Sequence, residues 1–256
     1  MPLPLAARTH GHNGASARPF VFLHGMTFDR RMWDPVLDAL PRWRRAVAVD
    51  LPGHGASAPL DRHDPEDVAA ALHETLLGAG IEEPVLIGHS AGALLAAVYA
   101  AEYGAAAVVN VDMPVRVEPF AELVHALGPR LRRDFRATWR RFQESMHQSR
   151  VPLEMRVHLH QHATQRLVLS YWASLLDNPP ERTVTWAEGV LDALRDIPYL
   201  ALFGDEPADR DYIRARMPHA EIAVWPVGHH FPHLADPRRF AAAVGGFALL
   251  PEAASR

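Results

Sequence analysis

The 256-residue sequence predicts an α/β protein, in which a mostly parallel sheet is flanked by helices and interrupted by a helical insertion. Two observations support this prediction. Short apolar runs alternate with segments of helical spacing through the first half of the chain, which is the pattern of a parallel sheet covered on both faces. The alternation stops after residue 114 and resumes near residue 199, and the intervening segment shows long amphipathic patterns without a convincing buried strand.

Each predicted element has its own local signal. The strands are the apolar runs within "FVFLHG", "RAVAVDLPGHG", "PVLIGHS" and "AAVVNVDMP", and after the insertion "YLALFGDEP" and "EIAVWPVGHH". Helices are expected at 32–40, 64–80 and 91–103, near 209–217 and from about 237. The helix at 64–80 has a clear N-terminal signal, because Asp64 is a suitable N-cap and Pro65 suits the first helical position. Residues 1–114 and 191–256 are therefore predicted to form the sheet core, and residues 115–190 a helical cap.

Composition narrows the functional classes. The formal net charge of −4 argues against a general electrostatic grip on nucleic acid or an anionic membrane. The chain has no cysteine, so it has no disulfide or thiolate site, and the absence of lysine excludes lysine-bound pyridoxal chemistry. No signal peptide or membrane span is recognisable, and we expect a soluble, cytoplasmic protein. The oligomeric state is not predicted.

One serine stands between two glycines at the junction of a strand and a helix. Residues 88–92 read Gly-His-Ser-Ala-Gly, which fits G-x-S-x-G in the strand–turn–helix context that gives this motif its meaning. Gly88 and Gly92 allow the strand and the helix to approach closely. The hydroxyl of Ser90 would then lie at the carboxyl edge of the sheet, beside a helix N-terminus that favours developing negative charge. Ser90 is the predicted nucleophile.

A serine hydroxyl needs a base to remove its proton. The segment "GHHFPHLADPRRF" follows the last predicted strand, where a loop can return an imidazole to the sheet edge. We select His230 as the base, with His229 as an alternative, and expect His233 to pack within the loop. The histidines in "HLHQH" include His158 and His162, which would share a face on a helix, but we predict no metal site there.

An oxyanion hole needs two N–H donors near the serine. Ala91, which follows the nucleophile, supplies one predicted donor. The loop after "FVFLHG" supplies the other, most simply from the backbone of Met26.

These segments together resemble the α/β-hydrolase family. The stretches "FLHGMTFDRRMWDPV", "VAVDLPGHGAS", "LIGHSAGA" and "GHHFPHLADPRRF" occur in the family's order and spacing. The chain also resembles the capped subgroup, in which a helical lid is inserted after the sixth strand, here after Pro114. The resemblance implies the fold and a nucleophile–histidine–acid triad. It says little about the substrate, because the fold hosts many chemistries.

The resemblance leaves the triad acid open. Family members commonly carry it in a G-x-x-D-P loop after the seventh strand, whereas this chain has "FGDEPAD", one residue shorter before the proline. Alignment on the proline selects Glu206, which is the preferred choice. Some members take the acid after the sixth strand instead, which makes Asp112 an alternative. Asp205 is the third candidate.

We expect a serine hydrolase that cleaves a carboxylic ester, lactone or thioester through an acyl-enzyme on Ser90, without a cofactor. Its partner would be a small, partly apolar acyl substrate, and the candidate substrate-binding residues are His24, His89, Trp139, Phe142, Tyr171 and Trp172. Two alternatives remain. The protein could be a cofactor-independent lyase or dioxygenase of this fold that uses His230 as a base, or a non-catalytic receptor for a small molecule.

Overall fold

The sheet has seven strands. The structure is a computed structural model that describes residues 4–12 and 18–248. The strands are β1 (Ala7–His10), β2 (Phe20–Leu23), β3 (Ala46–Val49), β4 (Val85–His89), β5 (Ala107–Val111), β6 (Tyr199–Phe203) and β7 (Glu221–Val224). Their order in the sheet is β1-β3-β2-β4-β5-β6-β7. Only the β1–β3 pair among them is antiparallel, and the other five pairs are parallel. The predicted fold class is confirmed.

The inner strands are apolar at successive positions because both faces of the sheet are covered. In β2, Val21 and Leu23 pack into one core, whereas Phe20 and Phe22 pack into the core on the opposite face. This division follows from the alternation of side chains along a strand. The carboxyl ends of β2, β4, β5 and β6 therefore meet at one edge, where the loops that follow them come together.

Helices cover both faces. The helices outside the insertion are α1 (Asp34–Ala39), α2 (Pro65–Gly78), α3 (Ala91–Tyr103), α9 (Arg210–Arg216), α10 (Pro232–Ala235) and α11 (Pro237–Phe247), and a 3₁₀ turn at Arg30–Trp33 precedes α1. Apolar side chains of α2, α3 and α9 enter the core that contains Val21. Those of α1, α10 and α11 enter the core that contains Phe22.

Five helices lie between β5 and β6. They are α4 (Glu118–Arg133), α5 (Phe135–Glu144), α6 (Gln165–Tyr171), α7 (Ala173–Asp177) and α8 (Pro180–Ala193), with 3₁₀ turns at Gln148–Arg150 and Leu153–His158. We call residues 115–198 the inserted segment. Its helices build a third apolar cluster, which includes Trp139 and Trp172 and reaches Met26 of the sheet core. The predicted boundary at residue 190 falls inside α8, and Leu191 already packs with the sheet.

The structure differs from the sequence prediction in three smaller elements. Strand β1 was not predicted, because its polar sequence "ARTH" alternates between exposed and half-buried positions at the edge of the sheet. The last strand ends at Val224, well before residue 230, so the following histidines lie in a loop. The short helix α10 was also not predicted. No helix among the described residues is both long and apolar enough to span a membrane.

Candidate active site

Ser90 occupies a strained turn between β4 and α3. Its backbone angles are φ 53° and ψ −125°, a conformation that L-residues rarely adopt. Its N–H donates to the carbonyl of Val111 at 2.9 Å. A Cβ on Gly92 would lie 2.5 Å from the carbonyl oxygen of Leu23, and a Cβ on Gly88 would collide with the backbone of Gly92. The two glycines of the motif are therefore required by the close crossing of strand and helix.

The turn after β2 lies directly against this serine. The N–H of Phe28 donates to the carbonyl of Gly25 at 3.1 Å, which closes the turn. A Cβ on Gly25 would lie 3.3 Å from Cβ of Ser90. The turn is fixed by a buried imidazole, because the N–H of Thr27 donates to Nε2 of His54 at 2.9 Å. Met26 is thus held beside Ser90.

Ala91 is the first residue of α3, and the first N–H groups of a helix have no partner within the helix. The side chains of both Met26 and Ala91 line the cavity that contains Ser90. The structure therefore brings both residues that were predicted to supply oxyanion donors to the wall of the cavity that contains Ser90.

His230 is bonded to Asp112. Nδ1 of His230 donates to Oδ2 of Asp112 at 2.6 Å, and the two side chains are 20% and 17% exposed. Asp112 has a left-handed backbone with φ 59°, and its Oδ1 accepts the N–H of Gly204 at 2.7 Å. With Nδ1 protonated toward the carboxylate, the neutral ring keeps its lone pair on Nε2. That tautomer is the one required of a general base.

The backbone of His230 is also held on both sides. Its N–H donates to the carbonyl of Met146 in the inserted segment at 3.1 Å. Its carbonyl accepts Nε2–H of His89 at 2.7 Å. Three hydrogen bonds from three different elements therefore fix the position and the orientation of this imidazole.

The preferred acid, Glu206, does not contact His230. Its exposed carboxylate instead pairs with the guanidinium of Arg210, one helical turn further along the chain, and this bond lowers the pKa of Glu206. Asp205 is also exposed. The expectation that Glu206 orients the imidazole is thus corrected: the loop after β6 turns Glu206 toward α9, while Gly204 anchors Asp112 beside His230.

The remaining histidines of the loop have structural surroundings. Nδ1 of His229 accepts the N–H of Phe231 at 3.1 Å, and burial lowers the pKa of His229. His233 is fully buried against Trp33 and Phe240, with ring centroids 4.5 Å and 6.0 Å apart, respectively. Neither arrangement matches the paired imidazole of His230.

Ser90, Asp112 and His230 open into one cavity of about 590 Å³ beneath the inserted segment. Four of the predicted substrate-binding residues line this cavity: Trp139, Phe142, Tyr171 and Trp172. Trp139 stacks on Phe142 with ring centroids 5.2 Å apart, and Trp172 meets Phe142 edge-on at the same distance. These rings form an apolar wall of a size suited to a small organic molecule.

The two other predicted substrate-binding residues, His24 and His89, are not part of the cavity lining. His24 is fully buried: its Nε2 accepts the N–H of Leu51 at 2.9 Å, and its Nδ1 donates to the carbonyl of Gly25 at 2.8 Å. Burial lowers the pKa of His24 to about 4 and that of His89 well below its usual value. Both rings hold loops in place through hydrogen bonds to backbone groups. The expectation that they contact substrate is therefore corrected.

His63 lines the cavity and is not among the residues predicted from the sequence. Its Nδ1 donates to Oγ of Ser170 at 2.7 Å, and its ring stacks on Tyr171 at 4.6 Å. Burial lowers the pKa of His63. No sequence signal marks this residue, because its place depends on how the inserted segment meets the loop before α2.

The histidines of "HLHQH" do not share a helical face. Residues 159–164 follow the 3₁₀ turn and precede α6, so the i, i+4 spacing of His158 and His162 does not bring them together. The N–H of His162 instead donates to the carbonyl of Thr27 at 2.7 Å. Within residues 4–12 and 18–248, no group of three or more histidine or acidic side chains is arranged to hold a metal ion.

The fold and the Ser90 elbow define a protein of the α/β-hydrolase class. The model of the alpha/beta hydrolase family matches residues 20–243, and the chain belongs to this family.

Sequence relatives in the family have diverse activities. A 2-succinyl-6-hydroxy-2,4-cyclohexadiene-1-carboxylate synthase of Klebsiella pneumoniae is 42% identical over 91 residues, which are 35% of this chain and 36% of that protein. A non-heme haloperoxidase of Rhodococcus erythropolis is 34% identical over 106 residues, which are 41% and 39% of the two chains. The matched segments thus span little more than a third of these relatives.

Solved structures are similar in fold to this chain over nearly its whole length. AqDC, whose structure concerns the recognition and ring-cleavage of the Pseudomonas quinolone signal, has a TM-score of 0.78 at 22% identity and covers 95% of this chain and 96% of its own. The enol-lactonase of Burkholderia xenovorans LB400 has a TM-score of 0.72 at 18% identity, with 95% of each chain covered. At these identities the similarity establishes the fold alone.

Proposed function

We propose that this protein is a serine hydrolase that cleaves carboxylic esters, lactones or thioesters through an acyl-enzyme on Ser90. The observation that carries the proposal is the 2.6 Å bond between His230 and Asp112 at the cavity that also contains the strained Ser90. The acid is therefore assigned to Asp112 and no longer to Glu206.

The chemistry follows from the positions of these groups. Oγ of Ser90 attacks the carbonyl carbon while Nε2 of His230 takes its proton, and Asp112 stabilises the imidazolium that forms. The N–H groups of Met26 and Ala91 bind the oxyanion of the tetrahedral intermediate. His230 then protonates the leaving alcohol or thiol as the carbon–oxygen or carbon–sulfur bond breaks. A water molecule that loses a proton to His230 then attacks the acyl carbonyl carbon. His230 returns that proton to Oγ of Ser90 as the ester bond to the enzyme breaks and the acid is released.

The inserted segment is assigned the role of a lid in this proposal. It contributes the rings of Trp139 and Trp172 to the cavity wall and would limit the access of water to the acyl group. Such enclosure strengthens the electrostatic interactions that stabilise the oxyanion.

Covalent labelling tests the proposed nucleophile. Wild type treated with a fluorophosphonate is expected to gain the mass of one adduct on Ser90, and Ser90→Ala is expected to gain none. Hydrolysis of 1-naphthyl esters is expected to fall by at least about 10³-fold in Ser90→Ala. Folded wild type that neither reacts with the probe nor hydrolyses any ester or lactone would refute the proposal.

A second function, base catalysis without an acyl-enzyme, is favoured by one observation. The His230–Asp112 pair is complete without Ser90, and the ring-lined cavity suits a flat aromatic substrate from which His230 could remove a proton. This is the chemistry of a cofactor-independent lyase or dioxygenase. Ser90→Ala separates the two functions, since a base-only reaction is expected to lose no more than about tenfold, whereas acyl transfer is lost.

A further inference from the structure

The cavity opens between three loops at the carboxyl edge of the sheet. Its exposed lining residues lie after β5, after β6, after α5 and on α4, and the charged or titratable ones among them are Arg116, His147, Asp205 and Glu206. Asp209, which is half-buried, is also part of the lining. A substrate that reaches Ser90 through this opening passes these charged groups first.

The charges at this opening are predominantly negative. The lining contains four carboxylates, Asp112, Asp205, Glu206 and Asp209, but Arg116 is the one arginine in it. Arg116 is already paired with Glu118, and Glu206 with Arg210, so these four side chains cancel in pairs. Asp205 and Asp209 remain as excess charge in the lining, together with Asp112, whose carboxylate is bonded to His230.

Two backbone N–H groups hold the carboxylate of Asp209 in place. Its Oδ2 accepts the N–H groups of both Val115 and Arg116 at 2.8 Å, which ties the loop after β5 to the start of α9. These two bonds fix the position of the carboxylate at the wall of the cavity. A substrate carboxylate entering here meets a fixed negative charge and no unpaired cation among the described lining residues.

Away from the elbow at Ser90, the cavity wall is largely aromatic. Eight aromatic side chains line the described cavity, namely Phe28, Phe120, Trp139, Phe142, Tyr171, Trp172, Trp186 and Phe203. Aromatic faces are electron-rich and favour apolar or edge-on ring contacts, and burial of an unpaired charge among them is costly.

We propose that the cavity takes uncharged substrates that carry an aromatic ring and rejects substrates that carry a carboxylate, with Asp205 as a specificity-determining residue. This inference rests on the proposed function for the reaction itself, but it concerns recognition and can be scored by binding alone. It sets this chain apart from the carboxylate named in the Klebsiella pneumoniae relative.

Two ligands that differ in charge test the inference. Calorimetric titration of the full chain at pH 8 and low ionic strength compares 1-naphthaleneacetamide with 1-naphthaleneacetate, which have the same ring system. We expect the amide to bind at least about tenfold more tightly, and the difference to shrink in 0.5 M NaCl because salt screens exposed charges. Equal or tighter binding of the carboxylate, or millimolar dissociation constants for both ligands, would overturn the inference.

Two aspartates provide the matched variants. Asp205→Asn is expected to tighten binding of 1-naphthaleneacetate by about three- to tenfold and to leave the amide unchanged. Asp211 is fully exposed on α9, pairs with Arg214 and is outside the cavity lining, so Asp211→Asn is expected to change neither ligand. Equal effects of the two substitutions would show that only the overall charge matters, and would overturn the role of Asp205.

The same inference is tested during turnover with two esters of one leaving group. The 1-naphthyl ester of succinic acid is an anion, whereas its methyl ester is uncharged. We expect kcat/KM to be at least about tenfold higher for the methyl ester. Fluorophosphonate labelling scores the proposed function separately: labelled Ser90 with no charge preference overturns this inference alone, and absent labelling with selective binding of the amide overturns the hydrolase alone.

Discussion

Replacing Asp112 with asparagine is the sharpest test of how His230 is activated. Asparagine has the same shape, and its carbonyl oxygen can still accept the N–H of Gly204 that now bonds Oδ1 at 2.7 Å. Its amide group would instead meet Nδ1 of His230, where the carboxylate now accepts at 2.6 Å. Because an amide N–H is a donor, Nδ1 must become the acceptor. The proton then moves to Nε2, which removes the lone pair needed to deprotonate Ser90.

The size of the effect follows from the charge that is lost. Imidazolium and carboxylate charges about 4 Å apart interact by about 4 kcal/mol at an effective dielectric constant of 20. At 1.36 kcal/mol per factor of ten, that interaction corresponds to about 10³-fold in rate. The wrong tautomer adds to this loss, so kcat/KM for an uncharged ester is expected to fall by about 10³- to 10⁴-fold in Asp112→Asn.

The assay is hydrolysis of an uncharged 1-naphthyl ester, with circular dichroism to establish that the variant is folded. Glu206→Gln is the matched comparison, because this carboxylate pairs with Arg210 on the surface and does not contact His230. Its kcat/KM is expected to change by less than about threefold. A folded Asp112→Asn variant that retains activity, or a Glu206→Gln variant that loses it, would refute the assignment of the acid.

Three further predictions concern the groups around the site. Burial lowers the folded-state pKa of His24 to about 4, below its ordinary 6.5, so the contribution of its neutral form to the free energy of unfolding is complete above pH 6.5 and falls by about 1.4 kcal/mol per pH unit between pH 6.5 and 4. Urea unfolding at pH 7, 6 and 5 is expected to show this fall in the wild type and a shallower fall in His24→Asn. Equal slopes of unfolding free energy against pH in the two proteins would contradict the prediction. His89→Leu removes the donor to the carbonyl of His230 and is expected to lower kcat about 10- to 100-fold with little change in KM. The kcat of His89→Gln, which retains a donor, is expected to stay within about fivefold of the wild type. The same loss of kcat in both variants would indicate that His89 acts by packing only. Gly88→Ala places a methyl group against the backbone of α3 and is expected to lower the free energy of unfolding by at least about 2 kcal/mol. Gly189→Ala lies on a helix with open space around it and is expected to be neutral or stabilising. Similar thermal denaturation midpoints for the two variants would contradict the predicted clash.

Much of the fold could be predicted because its signals are local. The apolar runs of β2, β4 and β5 indicate strands buried on both faces, and the glycines around Ser90 indicate the tight strand-to-helix turn. The position of His230 after the last strand likewise follows from the order of elements in the chain. Strand β1 carries no such signal, since its residues alternate between exposed and half-buried positions at the sheet edge, where it pairs with β3.

The choice among the acids could not be made from the sequence, because it depends on the directions of two loops. Asp112 reaches His230 because its backbone has a left-handed conformation. Non-glycine residues seldom adopt this conformation, and no neighbouring residue in the sequence predicts it here. Glu206 is turned away by a surface arginine four residues later, a pair that also looks ordinary in the sequence. His24 and His89 were predicted to bind substrate, but both are buried and bonded to backbone groups, which the sequence does not indicate.

The inserted segment contributes hydrogen bonds to the loops of the site as well as walls to the cavity. Its backbone carbonyl at Met146 accepts the N–H of His230, and its N–H at His162 donates to the carbonyl of Thr27 in the turn that carries Met26. Arg150 adds a bond to the carbonyl of Gly228 at 3.0 Å, just before the histidine loop. Since these partners hold the loops of the proposed base and of a proposed oxyanion donor, a displacement of the inserted segment would change catalytic geometry as well as the shape of the cavity. Substitutions that alter its packing are therefore expected to affect kcat together with substrate preference, and a segment exchanged from a relative would need to restore both backbone partners before its specificity could be transferred.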